Sequence, residues 1–107
     1  MKKGDIYLFN LLAGVGHEQS GNRPGILVSG LVNGMLIVVP LTTNLESLRF
    51  SHTLSILPSK KNNLKSESVA LVFHLKSVDK RRAIQHIGRI DLSSQADLDQ
   101  ILKEMLV

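Results

Sequence analysis

The sequence predicts a mainly β domain closed by one C-terminal helix, its strands forming a small, strongly bent antiparallel sheet or half-open barrel. Three observations lead there: several short apolar runs of strand length, the turn pair Asn33-Gly34 between two of them, and a final stretch whose apolar residues recur at helical spacing. A chain of 107 residues has interior for a single hydrophobic core, so one domain over residues 1–107 is expected.

The elements follow in order. Residues 5–11 (DIYLFNL) are short and rich in aromatic and branched side chains, which reads as a strand. Residues 13–24 (AGVGHEQSGNRP) are polar, dotted with glycine and closed by a proline, so they read as the longest loop. Residues 25–32 and 35–41 are apolar runs on either side of Asn33-Gly34, a pair that tolerates the positive φ angles of a type I′ turn; they are expected to be antiparallel neighbours. Residues 50–57 (FSHTLSIL) alternate, with Phe50, His52, Leu54 and Ile56 on one face. A basic loop is expected at 58–65, a central strand at 68–75 (SVALVFHL) and a further strand at 83–90. Ser94 with Asp97 three residues on resembles a capping box, and the helix it opens carries an apolar stripe of Leu98, Ile101, Leu102, Met105 and Leu106. Tyr7, Phe9, Phe50 and Phe73 read as core residues rather than as a stacking platform.

Composition narrows the function classes. The chain has no cysteine, which removes disulfides, thiolate metal sites and a thiol nucleophile together. The opening residues lack the apolar run of a signal peptide, and no segment is long enough to span a bilayer, so a cytoplasmic protein without a membrane partner is expected. A net charge of +4 makes a polyanionic partner plausible, with Lys60-Lys61, Lys65, Lys76, Lys80-Arg81-Arg82 and Arg89 crowded into the second half. The histidines at 17, 52, 74 and 86 show no metal-ligand spacing; Gly16 and Gly21 are followed by Asn22-Arg23 rather than the lysine of a phosphate loop; and no G-x-S-x-G elbow occurs. No metal and no cofactor is expected.

Chemistry concentrates in the segment Gly16-His17-Glu18-Gln19-Ser20-Gly21-Asn22-Arg23-Pro24, where an imidazole, a carboxylate, an amide and a guanidinium share one glycine-flanked loop. Cleavage of RNA by internal transesterification needs a base for the 2′-OH proton, a cation to steady the phosphorane and an acid for the departing 5′ oxygen. Arg23 can fork two N–H donors onto phosphate oxygens, and Glu18 or His17 can accept the proton. The alternative reading of the same residues is a solvated loop whose charges pair with one another.

GDIYLFNL, GHEQSGNRPGILVS, VVPLTTN and SVALVFHLKSVDKRR, in that order, resemble the MazF/PemK toxins of type II toxin–antitoxin systems over nearly the whole chain. The E-Q-x-G-x-R-P element from Glu18 to Pro24 and the P-L-T-T element from Pro40 to Thr43 are its most specific marks. The resemblance implies an SH3-like half-open barrel of the MazF/PemK/CcdB type, a homodimer, and an antitoxin whose tail blocks the cleft. It also implies metal-independent endoribonuclease cleavage of single-stranded RNA to a cyclic phosphate and a 5′-hydroxyl. By the same resemblance Arg23 meets the scissile phosphate, Glu18 is the proposed base, Thr42 supplies a hydroxyl and His17 is accessory; Gln19, Thr43, His74 and Lys76 are the candidate RNA contacts. A guanidinium surrenders protons reluctantly near neutrality, which makes Arg23 a charge stabiliser rather than an acid. The chain departs from the family pattern at Phe73-His74, where many relatives carry an acidic residue followed by glutamine. That departure is the best support for a second reading, a non-catalytic toxin-fold protein that binds antitoxin, RNA or a protein target. A structural module with merely solubilising charges is a third.

Overall fold

The computed structural model describes residues 1–10 and 21–106. The expectations placed on Leu11, on the loop up to residue 20 and on His17, Glu18 and Gln19 lie outside the described residues. The described residues form seven strands and one α-helix: β1 (Asp5–Asn10), β2 (Asn22–Leu27), β3 (Met35–Thr42), β4 (Thr53–Ile56), β5 (Ser68–Leu71), β6 (Lys76–Asp79), β7 (Ala83–Arg89) and α1 (Leu92–Leu106). The antiparallel pairings run β4-β5-β3-β2-β1-β7, and β6 pairs separately with β3.

The centre of the sheet is β3, which is buried on both faces. Leu36 and Val38 point into one core with Phe9, Leu27 and Val78, whereas Val39 and Leu41 point into another with Ile6, Ile26, Ile56, Val69's neighbour Ala70, Val72, Ile90 and Leu98. Two cores on opposite faces of one strand require the sheet to curl over itself on one side and to be covered on the other. On the covered side α1 lays down Leu98, with Ile101, Leu102 and Met105 packed beside it. Leu106 leaves the expected stripe and is exposed. The helix also begins earlier than the Ser94 box implied: Gln95 N–H donates to the Asp91 carbonyl at 2.9 Å, which makes Asp91 the residue whose carbonyl accepts the first helical bond.

Several expectations are corrected by the way strands end. The hairpin turn is as read, with Asn33 and Gly34 at φ 52° and 78° and reciprocal 2.9 Å bonds between Val32 and Met35. The strand before it, expected at 25–32, instead covers Asn22–Leu27. Ser29 Oγ accepts from the Ile37 N–H at 3.4 Å, so a side chain takes a ladder position and the backbone from 29 to 31 bulges away. The strand expected at 50–57 is cut to Thr53–Ile56, because Asn44 caps a 3-10 turn over Leu45–Arg49 and His52 takes a left-handed φ of 59°. The run 68–75 is not one strand: it breaks into a 3-10 turn at Val72–His74, and the chain then leaves β5 for the unanticipated β6, whose only buried residue is Val78. Phe50 and Phe73 fall on these two turns and are 47% and 41% exposed, packed edge to face at 5.8 Å, so neither is core.

Strands β4 and β7 stand at the two ends of the sheet, and the segment 58–65 closes the distance between them. Arg89 N–H donates to the Lys61 carbonyl at 3.0 Å and Asn63 Nδ2 to the Ile87 carbonyl at 2.8 Å. The contact is close enough that a Cβ at Gly88 would stand 2.6 Å from the carbonyl oxygens of Lys61 and Asn62. The segment is shaped by Asn62, which is wholly buried: its Oδ1 accepts from the Ser59 and Leu64 N–H groups, both at 2.9 Å, and its Nδ2 donates to the Leu57 carbonyl at 2.9 Å.

Removing that carboxamide leaves three backbone groups without partners, each costing about 1–3 kcal/mol where water cannot reach. Asn62→Ala is therefore expected to lower unfolding stability by about 3 kcal/mol in urea titration. A loss below about 0.5 kcal/mol, the size of an ordinary surface substitution, would show that the segment does not depend on this side chain.

Candidate functional site

The site begins where β2 and β3 part. Val28 N–H donates to the Ile37 carbonyl at 3.0 Å, and the register continues Leu27 to Val38, Ile26 to Val39 and Gly25 to Pro40. Antiparallel pairs alternate between bonded and non-bonded, so Ile26 and Val39 form a bonded pair and the next one due is Pro24 with Leu41. Pro24 has no N–H to donate there, and the ladder stops. Beyond that point Asn22–Pro24 pair only with β1, Arg23 opposite Phe9, while Leu41 and Thr42 pair with Ala70 and Val69 of β5. Pro40 faces the other edge of β3, at the handover from β6 to β5, where its missing N–H costs no bond.

The two diverging strand ends enclose a cleft of about 310 Å³ lined by Asn22, Arg23, Pro24, Leu41, Thr42 and Thr43, with the buried Ser68 also in its wall. Arg23 thus stands on a strand end and not in a loop, which holds its backbone more tightly than the sequence suggested. Its side chain is exposed, and among the described residues no carboxylate pairs with it. Thr42 is half-buried, and its Oγ1 accepts from the Asn44 N–H at 3.2 Å. A hydroxyl that accepts in this way keeps its own proton for donation to a substrate oxygen.

A second hollow of about 460 Å³ continues from the first and shares Pro24, Thr43 and Ser68 with it. It lies against β1, β7 and the 58–65 segment, where Leu8, Leu64 and Ile87 are half-buried and Asn63, Lys65, Gln85 and His86 are exposed. His86 is held edge-on to Tyr7 with ring centroids 5.0 Å apart, and its Nε2 lies 3.7 Å from Asp5 Oδ1. Asp5 is buried and also accepts from Arg89 Nη1 at 2.7 Å and from the Lys2 N–H at 2.8 Å.

Of the residues singled out in the sequence, Arg23, Thr42 and Thr43 meet in the cleft, and His17, Glu18 and Gln19 are not among those described. His74 and Lys76 line neither hollow. His74 sits on the 3-10 turn beside the Phe73 ring, centroids 4.8 Å apart, and Lys76 lies opposite Val38, well along β3 from Thr42. The chain leaves β5 at the Val72–His74 turn, so His74 stands on that turn and Lys76 opens β6. Much of the basic run is occupied locally: Arg81 grips Asp79 through bonds of 3.1 and 3.0 Å, and Arg82 donates to the Asn10 carbonyl at 3.1 Å. The Arg81 hydrogen bonds hold the Asp79 carboxyl down at about 2. Asn22, Ser68, Gln85 and His86 were missed as lining residues, because no local pattern tells which strand ends will diverge. Among the described residues no group of three or more His, Asp or Glu side chains gathers as a metal-binding set.

A family model described as "PemK-like, MazF-like toxin of type II toxin-antitoxin system" matches residues 2–106. Endoribonuclease MazF9 of Mycobacterium tuberculosis is 28% identical over 112 residues, covering 96% of this chain and 93% of that protein. Endoribonuclease EndoA of Bacillus subtilis is 25% identical over 107 residues, covering 96% and 91%. The crystal structure of MazF (Form-I) from Deinococcus radiodurans superposes with a TM-score of 0.76 at 25% identity, covering 99% of this chain and 96% of that one.

The Asp5 cluster has a pH signature. Burial alone raises its carboxyl, but the Lys2 N–H, the Arg89 guanidinium and His86 together prevail and hold it below the ordinary 3.8. A depressed folded-state value contributes stability that is present above the unfolded value and is lost as pH falls through the folded one. The urea midpoint of the wild type should therefore exceed that of Asp5→Asn at pH 5–7, with the two converging below pH 3.8. A gap that stays constant across that range would contradict the assignment.

Proposed function

The chain belongs to the PemK-like, MazF-like toxins of type II toxin–antitoxin systems, and from that premise we propose that it is an endoribonuclease cutting single-stranded RNA at the cleft between β2 and β3. The observation that carries this reading is the convergence of Arg23 and Thr42 on one opening of nucleotide scale. In the proposed reaction the 2′-oxygen forms a bond to phosphorus, the bond from phosphorus to the 5′-oxygen breaks, and the products are a cyclic phosphate and a 5′-hydroxyl. Arg23 stabilises the extra charge of the phosphorane through two parallel N–H donors. Thr42 donates its hydroxyl proton to a phosphate oxygen, its orientation set by the Asn44 N–H. Glu18, or His17, takes the 2′-OH proton, the departing 5′-oxygen takes a proton from solvent water in the open cleft, and Gln19 and Thr43 contact the flanking RNA. No step requires a metal or a cofactor.

The partners of this activity are single-stranded RNA, a cognate antitoxin that occludes the cleft, and a second copy of the chain in a homodimer. Among the described residues no helix is long and apolar enough to cross a membrane, and a cytoplasmic location fits the proposed RNA substrate. We read residues 1–107 as a single toxin domain. The non-catalytic reading is not favoured, since the relatives named above are endoribonucleases, and among the described residues Phe73 is not part of the cleft's lining.

Arg23→Ala is expected to cut a mixed single-stranded RNA library at least about a hundredfold more slowly in EDTA, the scale of losing one preorganised donor at an oxyanion. Thr42→Val should lose about tenfold, and Thr42→Ser should recover most of it. Products from the wild type should carry cyclic phosphate and 5′-hydroxyl ends. Undiminished cutting by Arg23→Ala would reject the assignment.

A further inference from the structure

We propose that the second hollow, between β1, β7 and the 58–65 segment, is a nucleobase subsite that holds the base of a nucleotide next to the scissile phosphate. The inference rests on the ribonuclease reading and adds to it where sequence preference is set. The hollow adjoins the cleft, sharing Pro24, Thr43 and Ser68 with it, so a strand held at Arg23 and Thr42 has its neighbouring nucleotide within reach of the hollow. At about 460 Å³ it falls within the size of small-ligand sites. Its lining has the polarity of a base turned inside out. Leu8 and Ile87 offer apolar surface to the flat faces, while the side chains of Asn63, Gln85 and His86 meet the hydrogen-bonding edge.

The polar groups differ in how firmly they are held. Asn63 commits its Nδ2 to the Ile87 carbonyl, leaving the amide oxygen as an acceptor of fixed position. His86 is oriented by the Tyr7 ring and by Asp5. A site built to hydrogen-bond an edge discriminates against partners that leave its polar groups unpaired. Lys65, exposed at the rim, supplies a point charge for the phosphate of the same nucleotide. Gln85 is exposed as well, so its replacement leaves the core intact and tests the subsite without testing the fold.

The experiment sequences the ends released from a randomised single-stranded RNA library by wild type, Gln85→Ala and Lys65→Ala, after matched thermal melts. Gln85→Ala is expected to lower base preference about tenfold at one position flanking the cut, the scale of one good side-chain-to-base contact, and to leave the other positions as they were. Lys65→Ala should raise KM with kcat retained. Preference unchanged at every position, or reduced equally at all of them, overturns the subsite. If the wild type leaves all RNA uncut, the ribonuclease reading falls, and binding of labelled seven-residue deoxy homopolymers against an abasic seven-residue strand decides the subsite separately. A base-dependent gain in affinity that disappears in Gln85→Ala sustains it; equal affinity for based and abasic strands overturns it.

Discussion

A missing hydrogen-bond donor organises this molecule. Pro24 arrives at the position where the β2–β3 ladder next needs an N–H, and the two strands separate because no bond holds them together. From that fork the rest follows. Freed from β2, the last residues of β3 are taken up by β5, and freed from β3, the first residues of β2 are held by β1 alone. A sheet that changes partners along its central strand bends there, and the gap on the inside of the bend is the cleft. Pro40 marks the matching handover on the opposite edge of β3, so a proline sits inside each of these two neighbouring strands.

The second constraint is the return of the 58–65 segment onto β7. It does by means of a loop what another strand pairing would do in a closed barrel, and it depends on one buried carboxamide and one position too crowded for any side chain. The same segment forms a wall of the groove through Asn63, Leu64 and Lys65. Stability and substrate contact are therefore coupled in it: Asn62 faces inward and shapes the backbone, and its neighbours face the hollow. Charge is divided in a similar way. Asp79 and Asp5 each draw an arginine into local structure, while Arg23 meets no carboxylate among the described residues and Lys65 stands at the groove's rim.

The legible parts of the fold were those decided by local chemistry. Asn33-Gly34 announces its turn because few other pairs accept two positive φ angles in succession, and Leu98, Ile101, Leu102 and Met105 announce a buried helical face by spacing alone. The illegible parts were the breaks. SVALVFHL is apolar throughout, so nothing in it marks the 3-10 turn at Val72–His74, and KSVD is too polar and too short to declare itself a strand until β3 offers it an edge. Phe50 and Phe73 look like core by composition, yet each falls on a turn that leads its ring outward.

The site divides along the same line. Residue type singled out Arg23, because a fork of donors is what a phosphodiester requires and that property belongs to the side chain itself, while the resemblance of the P-L-T-T element to the MazF/PemK toxins singled out Thr42 and Thr43. That Arg23 is carried on a strand end, that Ser68 completes its cleft, and that Gln85 and His86 extend it while His74 and Lys76 do not, were decided only by tertiary structure. Which side chains share a hollow depends on where distant strands pair and part, and that is set by hydrogen-bond registers between segments tens of residues apart, which no local stretch of sequence contains.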